Sequence, residues 1–160
     1  MKYINLIVGI VSTCILALVL SLTPAHADLN DTPIIFVDGA WSVHIFQTPA
    51  SNKGLCVGVY KNNYNIRLTD TALYIYLRGG VKSVKLRYGN IPAREYIRKP
   101  SAMEGHLSIL ALENDEFKSM LTATNVHIEV STIMGTTQTY DIIPEGIVQA
   151  VAKIHSGCAR

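Results

Sequence analysis

The chain has 160 residues, 14 Lys and Arg against 12 Asp and Glu, and a formal net charge of +2. So nearly balanced a charge gives no electrostatic footprint for non-specific nucleic-acid binding. The length suits a single domain rather than two.

Lys2 supplies one positive charge, an apolar run follows over residues 4–22, and Pro24-Ala25-His26-Ala27 closes it. This order of charge, apolar stretch and small-x-small site predicts a secretory signal peptide over residues 1–27, with Asp28 as the first mature residue. The alternative is a retained membrane anchor, because the run approaches the roughly 20 residues that span a bilayer. Cys14 lies in the middle of the run, with too little apolar segment ahead of it for a lipoprotein signal. Residues 28–160 are then one β-rich domain, periplasmic or secreted, with no further membrane span expected.

Beyond the leader a period of two dominates. Weaker strand patterns cover residues 41–47, 55–61 and 65–69. Leu73, Ile75 and Leu77 then alternate with Tyr74, Tyr76 and Arg78, and Val84, Leu86 and Tyr88 alternate with Ser83, Lys85 and Arg87. Residues 93–97 and 106–112 are further weak candidates. In 114–121 an asparagine cap and two acids precede apolar residues at helical spacing, predicting a short helix. Val126, Ile128 and Val130 alternate with His127, Glu129 and Ser131, and residues 137–142 follow as a last strand. Pro144 suits a first helical position, and Ile147, Val151, Ile154 and Cys158 fall on one face of a C-terminal helix. Eight or nine short strands with these two helices read as an antiparallel β-sandwich or a partly closed barrel.

Removal of Cys14 with the leader leaves Cys56 and Cys158, and an oxidising compartment predicts a disulfide between them. Such a bridge closes a loop of about 100 residues, worth on the order of 4 to 5 kcal/mol in the chain-entropy model. On a regular strand Cys56 points with Gly58 and Tyr60, opposite to Leu55, Val57 and Val59. That strand is therefore either covered on both sides or irregular at Cys56.

Few residues carry chemistry. His44, His106, His127 and His155 have no spacing that sets two imidazoles on one metal, so no metal or cofactor is implied. The acids, Glu104, Asp115 and Glu116 among them, give no reason to select a catalytic pair. The uneven feature is the basic stretch Arg78, Lys82, Lys85, Arg87, Arg94, Arg98 and Lys99, opposed only by Glu95. If the flanking strands pair as a hairpin through Gly79-Gly80, it forms a face able to hold an acidic protein, an anionic glycan or lipid head groups. The alternative is a solvated outer face that also protects a sheet edge.

Trp41-Ser-Val43, Gly54-Leu-Cys56-Val, the short helix 117–121, the strand 126–130, the turn at Gly135 and the terminal Gly146-Ile-Val-Gln-Ala150-Val-Ala helix, taken in that order, resemble the invasion-associated locus B family of small exported bacterial proteins. The resemblance spans most of the mature chain through short, apolar motifs. It implies a β-sandwich-like body and a periplasmic or surface-associated, non-enzymatic protein linked to host-cell interaction. Where that family often carries a cysteine, two positions after W-x-V, this chain has Ile45. The expected function is an interaction protein. The alternatives are an inhibitor or immunity protein against a secreted or cell-wall enzyme and, behind it, a small hydrolase.

Overall fold

The computed structural model describes residues 32–47, 54–89 and 94–157. The expected signal segment over residues 1–27, Cys14 and Cys158 lie outside these residues. Among the described residues ten strands form two antiparallel sheets. The first has the order β1-β2-β3-β4-β5-β8, with β1 Ile34–Asp38, β2 Trp41–Gln47, β3 Gly54–Tyr60, β4 Ile66–Leu68, β5 Ala72–Tyr76 and β8 Ile109–Glu113. The second runs β10-β9-β6-β7, with β6 Val81–Tyr88, β7 Arg94–Arg98, β9 Val126–Thr132 and β10 Thr137–Ile142. Each sheet keeps two free edges, so the body is a sandwich and not a closed barrel.

Alternation builds the core. On β9, Val126, Ile128, Val130 and Thr132 are buried while the residues between them are half-exposed. On β6, Val84, Leu86 and Tyr88 repeat the pattern, and a register shift between Val81 and Ser83 lets Lys82 turn outward. These side chains meet Trp41, Val43, Ile66, Leu68, Leu73, Ile75, Leu110 and Leu112 of the first sheet in one cluster. Each such aliphatic side chain contributes about 1.5–3 kcal/mol on burial, and together they favour this register over any slip by one residue.

Among the described residues three helices close the ends. Helix α1, Ala102–Leu107, starts from a capping box in which Ser101 and Glu104 satisfy each other's backbone amides. Helix α2, Asn114–Leu121, buries Phe117 and Met120. Helix α3, Ile147–His155, buries Ile147 and Ala150 and packs on β1, β2 and β3. It approaches closely because β3 carries Gly58, where a Cβ would stand 2.8 Å from Leu68 Cβ and 3.3 Å from Ile154 Cδ1. At the other end of α3, Gly39 and Gly146 sit back to back with φ of +50° and +85°. A Cβ on either would fall within 2.5 Å of a carbonyl oxygen of the opposite turn, Glu145 O for Gly39 and Asp38 O for Gly146.

Several expectations are corrected. No hairpin forms through Gly79-Gly80, because β5 pairs with β8 and β6 pairs with β7 and β9 in the other sheet. The expected strand over 106–112 begins only at Ile109, since α1 occupies the residues up to Leu107. The strand β1 is an addition. Asn114 does not cap α2: Glu113 holds that place, and Asn114 is the first helical residue, with φ of 52°. Pro144 stands in the turn before α3, where its carbonyl accepts the Ile147 amide at 2.8 Å. Of the two choices left open for Cys56, the first holds. Cys56 and Tyr60 are buried on the inner side, and Val59 is buried on the other.

Candidate functional site

The seven cations do not share one surface. Arg78 follows β5 and Lys82 lies in the β6 bulge, both exposed. Lys85 and Arg87 stand on the outward row of β6. The register sets Arg98 opposite Val84, on the core side of β7, and Arg94 opposite Tyr88. Lys99 is exposed just past the strand. Across the second sheet, Asp141, His127, Arg87 and Glu95 hold one row of register positions, and Thr139, Glu129, Lys85 and Ile97 hold the next. The outward row of β6 is thus flanked by acidic positions on neighbouring strands, with His127 Nδ1 2.7 Å from Asp141 Oδ1. Cross-strand pairing of this kind stabilises a sheet and lowers its net field.

Arg98 is the centre of an ionic joint. Its Nη1 donates to Glu104 Oε2 at 2.9 Å and its Nη2 to Oε1 at 2.7 Å, while Nη2 also donates to the Ala111 carbonyl at 3.0 Å. Glu104 accepts the Ser101 amide at 2.7 Å and the Ala111 amide at 3.0 Å. Ala111 lies on β8, an edge strand, so this pair satisfies a free sheet edge as a neighbouring strand would. It also ties β7 of one sheet to β8 of the other. Arg98 Nε lies 2.7 Å from Glu116 Oε1 of α2. Burial pushes the Glu104 carboxyl up, but the Arg98 hydrogen bonds and the two amides outweigh it and hold the group at about 2. Burial raises Glu116 despite the attraction of Arg98. A cleft of about 380 Å³, lined in part by Lys99, Ser101, Met103, Glu113 and Glu116, opens beside the joint. With both oxygens of Glu104 occupied and its charge fixed, the joint serves as a fastener between layers.

A different kind of surface lies at the neighbouring corner. Met103 and Leu107 of α1, four residues apart on one helix face, and Ile133 and Met134 of the β9–β10 turn are between 54 and 77 % exposed. The Gly79-Gly80 turn sets α1 beside the β9–β10 turn. Gly80 abuts both the Gly105 carbonyl and Ile133 Cδ1, Gly79 abuts Met134, and the Ile133 amide donates to the Gly79 carbonyl at 3.0 Å. Gathered exposed apolar side chains mark a contact surface more often than singles do. Sequence reading passed over these four residues. Two signals pointed to them: the S-x-x-E capping box that makes α1 a helix, and a hairpin turn that carries Ile133-Met134 where polar residues are usual.

The histidines are held locally. His44 is buried, with Nδ1 2.9 Å from Thr32 Oγ1 and Nε2 2.9 Å from Ser42 Oγ. Burial lowers its pKa, and the Thr32 hydrogen bond opposes the shift. His155 Nδ1 lies 3.5 Å from Asp70 Oδ2. Among the described residues no group of three or more His, Cys, Asp and Glu is placed to hold a metal ion, and no helix is long and apolar enough to cross a membrane. Cys56 and Gly157 line one hollow of about 310 Å³, together with Asp70 and Ile154. Across β2 and β3, Ile45 is the direct register partner of Cys56. Comparison of the chain with protein-family models, curated proteins and solved structures finds no match.

Proposed function

We propose that this is an exported, non-enzymatic interaction protein, periplasmic or surface-associated, that works by pressing one corner of a rigid sandwich against another macromolecule. The observation that carries the reading is the exposure of Ile133 and Met134 on the β9–β10 turn, beside the Gly79-Gly80 turn, and of Met103 and Leu107 on the neighbouring helix α1. Their backbones are fixed by α1, the Gly79-Gly80 turn and a two-stranded ladder, so contact there costs little ordering entropy.

Export rests on Lys2, the apolar residues 4–22 and the site ending at Ala27. A Cys56–Cys158 bridge fits the same reading, because Gly157 lines the hollow beside Cys56 and the next Cα is only about 3.8 Å further along the chain. The resemblance to invasion-associated locus B proteins points in the same direction, toward a contact role at the cell surface.

The test places a photo-crosslinking amino acid at Met134 and, as control, at Val148, which is exposed on α3. In the exported fraction, adducts are expected from position 134 and none from 148. Equal yields, or none at 134, overturn the reading. Amino-terminal sequencing of the exported chain is expected to begin at Asp28.

A further inference from the structure

The rim of this corner is as informative as its centre. Arg78 enters the Gly79-Gly80 turn and Lys82 leaves it, both exposed, and neither is engaged in an ion pair with a described residue. His106 is exposed on α1 between Met103 and Leu107. Over residues 78–82, 101–108 and 131–137 the sole carboxylate is Glu104, and it is buried and bound to Arg98. Around Ile133 and Met134 the surface is therefore apolar with cations at its margin, whereas Met103 faces the cleft that it shares with Glu113 and Glu116. The outward face of the second sheet, where acidic positions flank Lys85 and Arg87, lacks this character.

Resting on the contact reading above, we propose that the partner of this corner is an anionic lipid bilayer. Ile133 and Met134 enter the interface between head groups and acyl chains. Arg78 and Lys82 lie at the level of the lipid phosphates. The chemistry fits the two-part requirement for reversible surface binding, in which buried apolar area and attraction to anionic lipid are each too weak alone. An acidic protein partner would match the rim equally but would require a complementary apolar recess. A second copy of this chain brings the same cations and repels at the rim.

Trp41, the sole tryptophan, is fully buried, so Met134→Trp adds one exposed reporter at the tip. The exported chain carrying that substitution is mixed with vesicles of phosphatidylcholine alone or with one-third phosphatidylglycerol. A blue shift of tryptophan emission is expected with the anionic vesicles and not with the neutral ones, and it should weaken as salt is raised. In sedimentation with the same vesicles, Arg78→Glu/Lys82→Glu is expected to lower the partition coefficient by roughly 30-fold or more, from about fivefold per lost cation and further repulsion from the new acids. Ile133→Ser/Met134→Ser is expected to lower it on the anionic membranes as well. The chain used throughout is the exported one, beginning at Asp28, so residues 4–22 take no part in the binding. No shift at position 134, an unchanged partition in both double variants, or a shift that depends on protein concentration without vesicles overturns the proposal. If vesicles fail while the crosslinker at 134 captures a protein, the lipid assignment falls and the contact reading stands. If both fail, both fall.

Discussion

Arg98 and Glu104 meet fork to fork, both guanidinium amino groups on both carboxylate oxygens, and the same two side chains take the amide and carbonyl of Ala111. Removing one partner leaves the other charged and poorly solvated, because Glu104 is buried and Arg98 half-buried. Glu104→Gln and Arg98→Met are each expected to cost about 3–5 kcal/mol in urea unfolding. The double variant should cost less than the sum of the two singles. Additive losses would show that the two residues act apart.

Acid should loosen the same joint. The Glu104 carboxyl is held at about 2 in the folded chain against an ordinary value of 4.5. A depressed carboxyl stabilises the fold fully above its unfolded value, and that stability is lost as pH falls from about 4.5 toward 2. The contribution is about 3 kcal/mol. Glu116, raised by burial, acts with the opposite sign and makes the acid limb shallower. Melting temperature measured from pH 6 to 2 should fall more steeply in the parent than in Glu104→Gln.

Gly58→Ala is expected to destabilise by about 1–3 kcal/mol, since the added carbon would meet Leu68 Cβ at 2.8 Å and push against Ile154. The loss should appear as a lower urea midpoint with an unchanged slope. No loss would mean that α3 sits further from β3 than described.

Ile45→Cys tests the bridge. The Lys61 amide bonds the Ala40 carbonyl, and alternation from that pair makes Ile45 and Cys56 a non-hydrogen-bonded cross-strand pair, the closer kind. The introduced thiol should compete for Cys56 and release Cys158 as a free thiol, read by peptide mapping without reduction. A parent protein with two free thiols at 56 and 158 would remove the bridge from the account.

His44 sets a second pH window. Because burial lowers its folded value below 6.5, the neutral ring's contribution is present above pH 6.5 and is lost as pH falls through the lowered folded value. Ser42→Ala strips a hydrogen bond from the buried ring and should cost about 1–3 kcal/mol in chemical denaturation at pH 7.5.

The strands with clean alternation, β5, β6 and β9, were legible because one side of each faces a continuous core. Two-sheet pairing was not. Gly79-Gly80 reads as a hairpin turn, yet the chain there crosses from one sheet to the other, and nothing local distinguishes the two uses of a double glycine. The inward turn of Arg98 was hidden for a related reason. Within β7 Arg98 follows Tyr96 on the core side, an arrangement that holds only because Glu104 and Glu116 arrive from later helices. The exposed corner was missed because its four side chains come from two distant segments, and exposure is a property of the assembled surface.

Because Gly39 and Gly146 press into each other's turns, the first hairpin takes its final seat only when the turn before α3, far along the chain, is in place. Helix α3, which packs on β1, β2 and β3, is thus part of what closes that end of the first sheet, a non-local contact that forms late in folding.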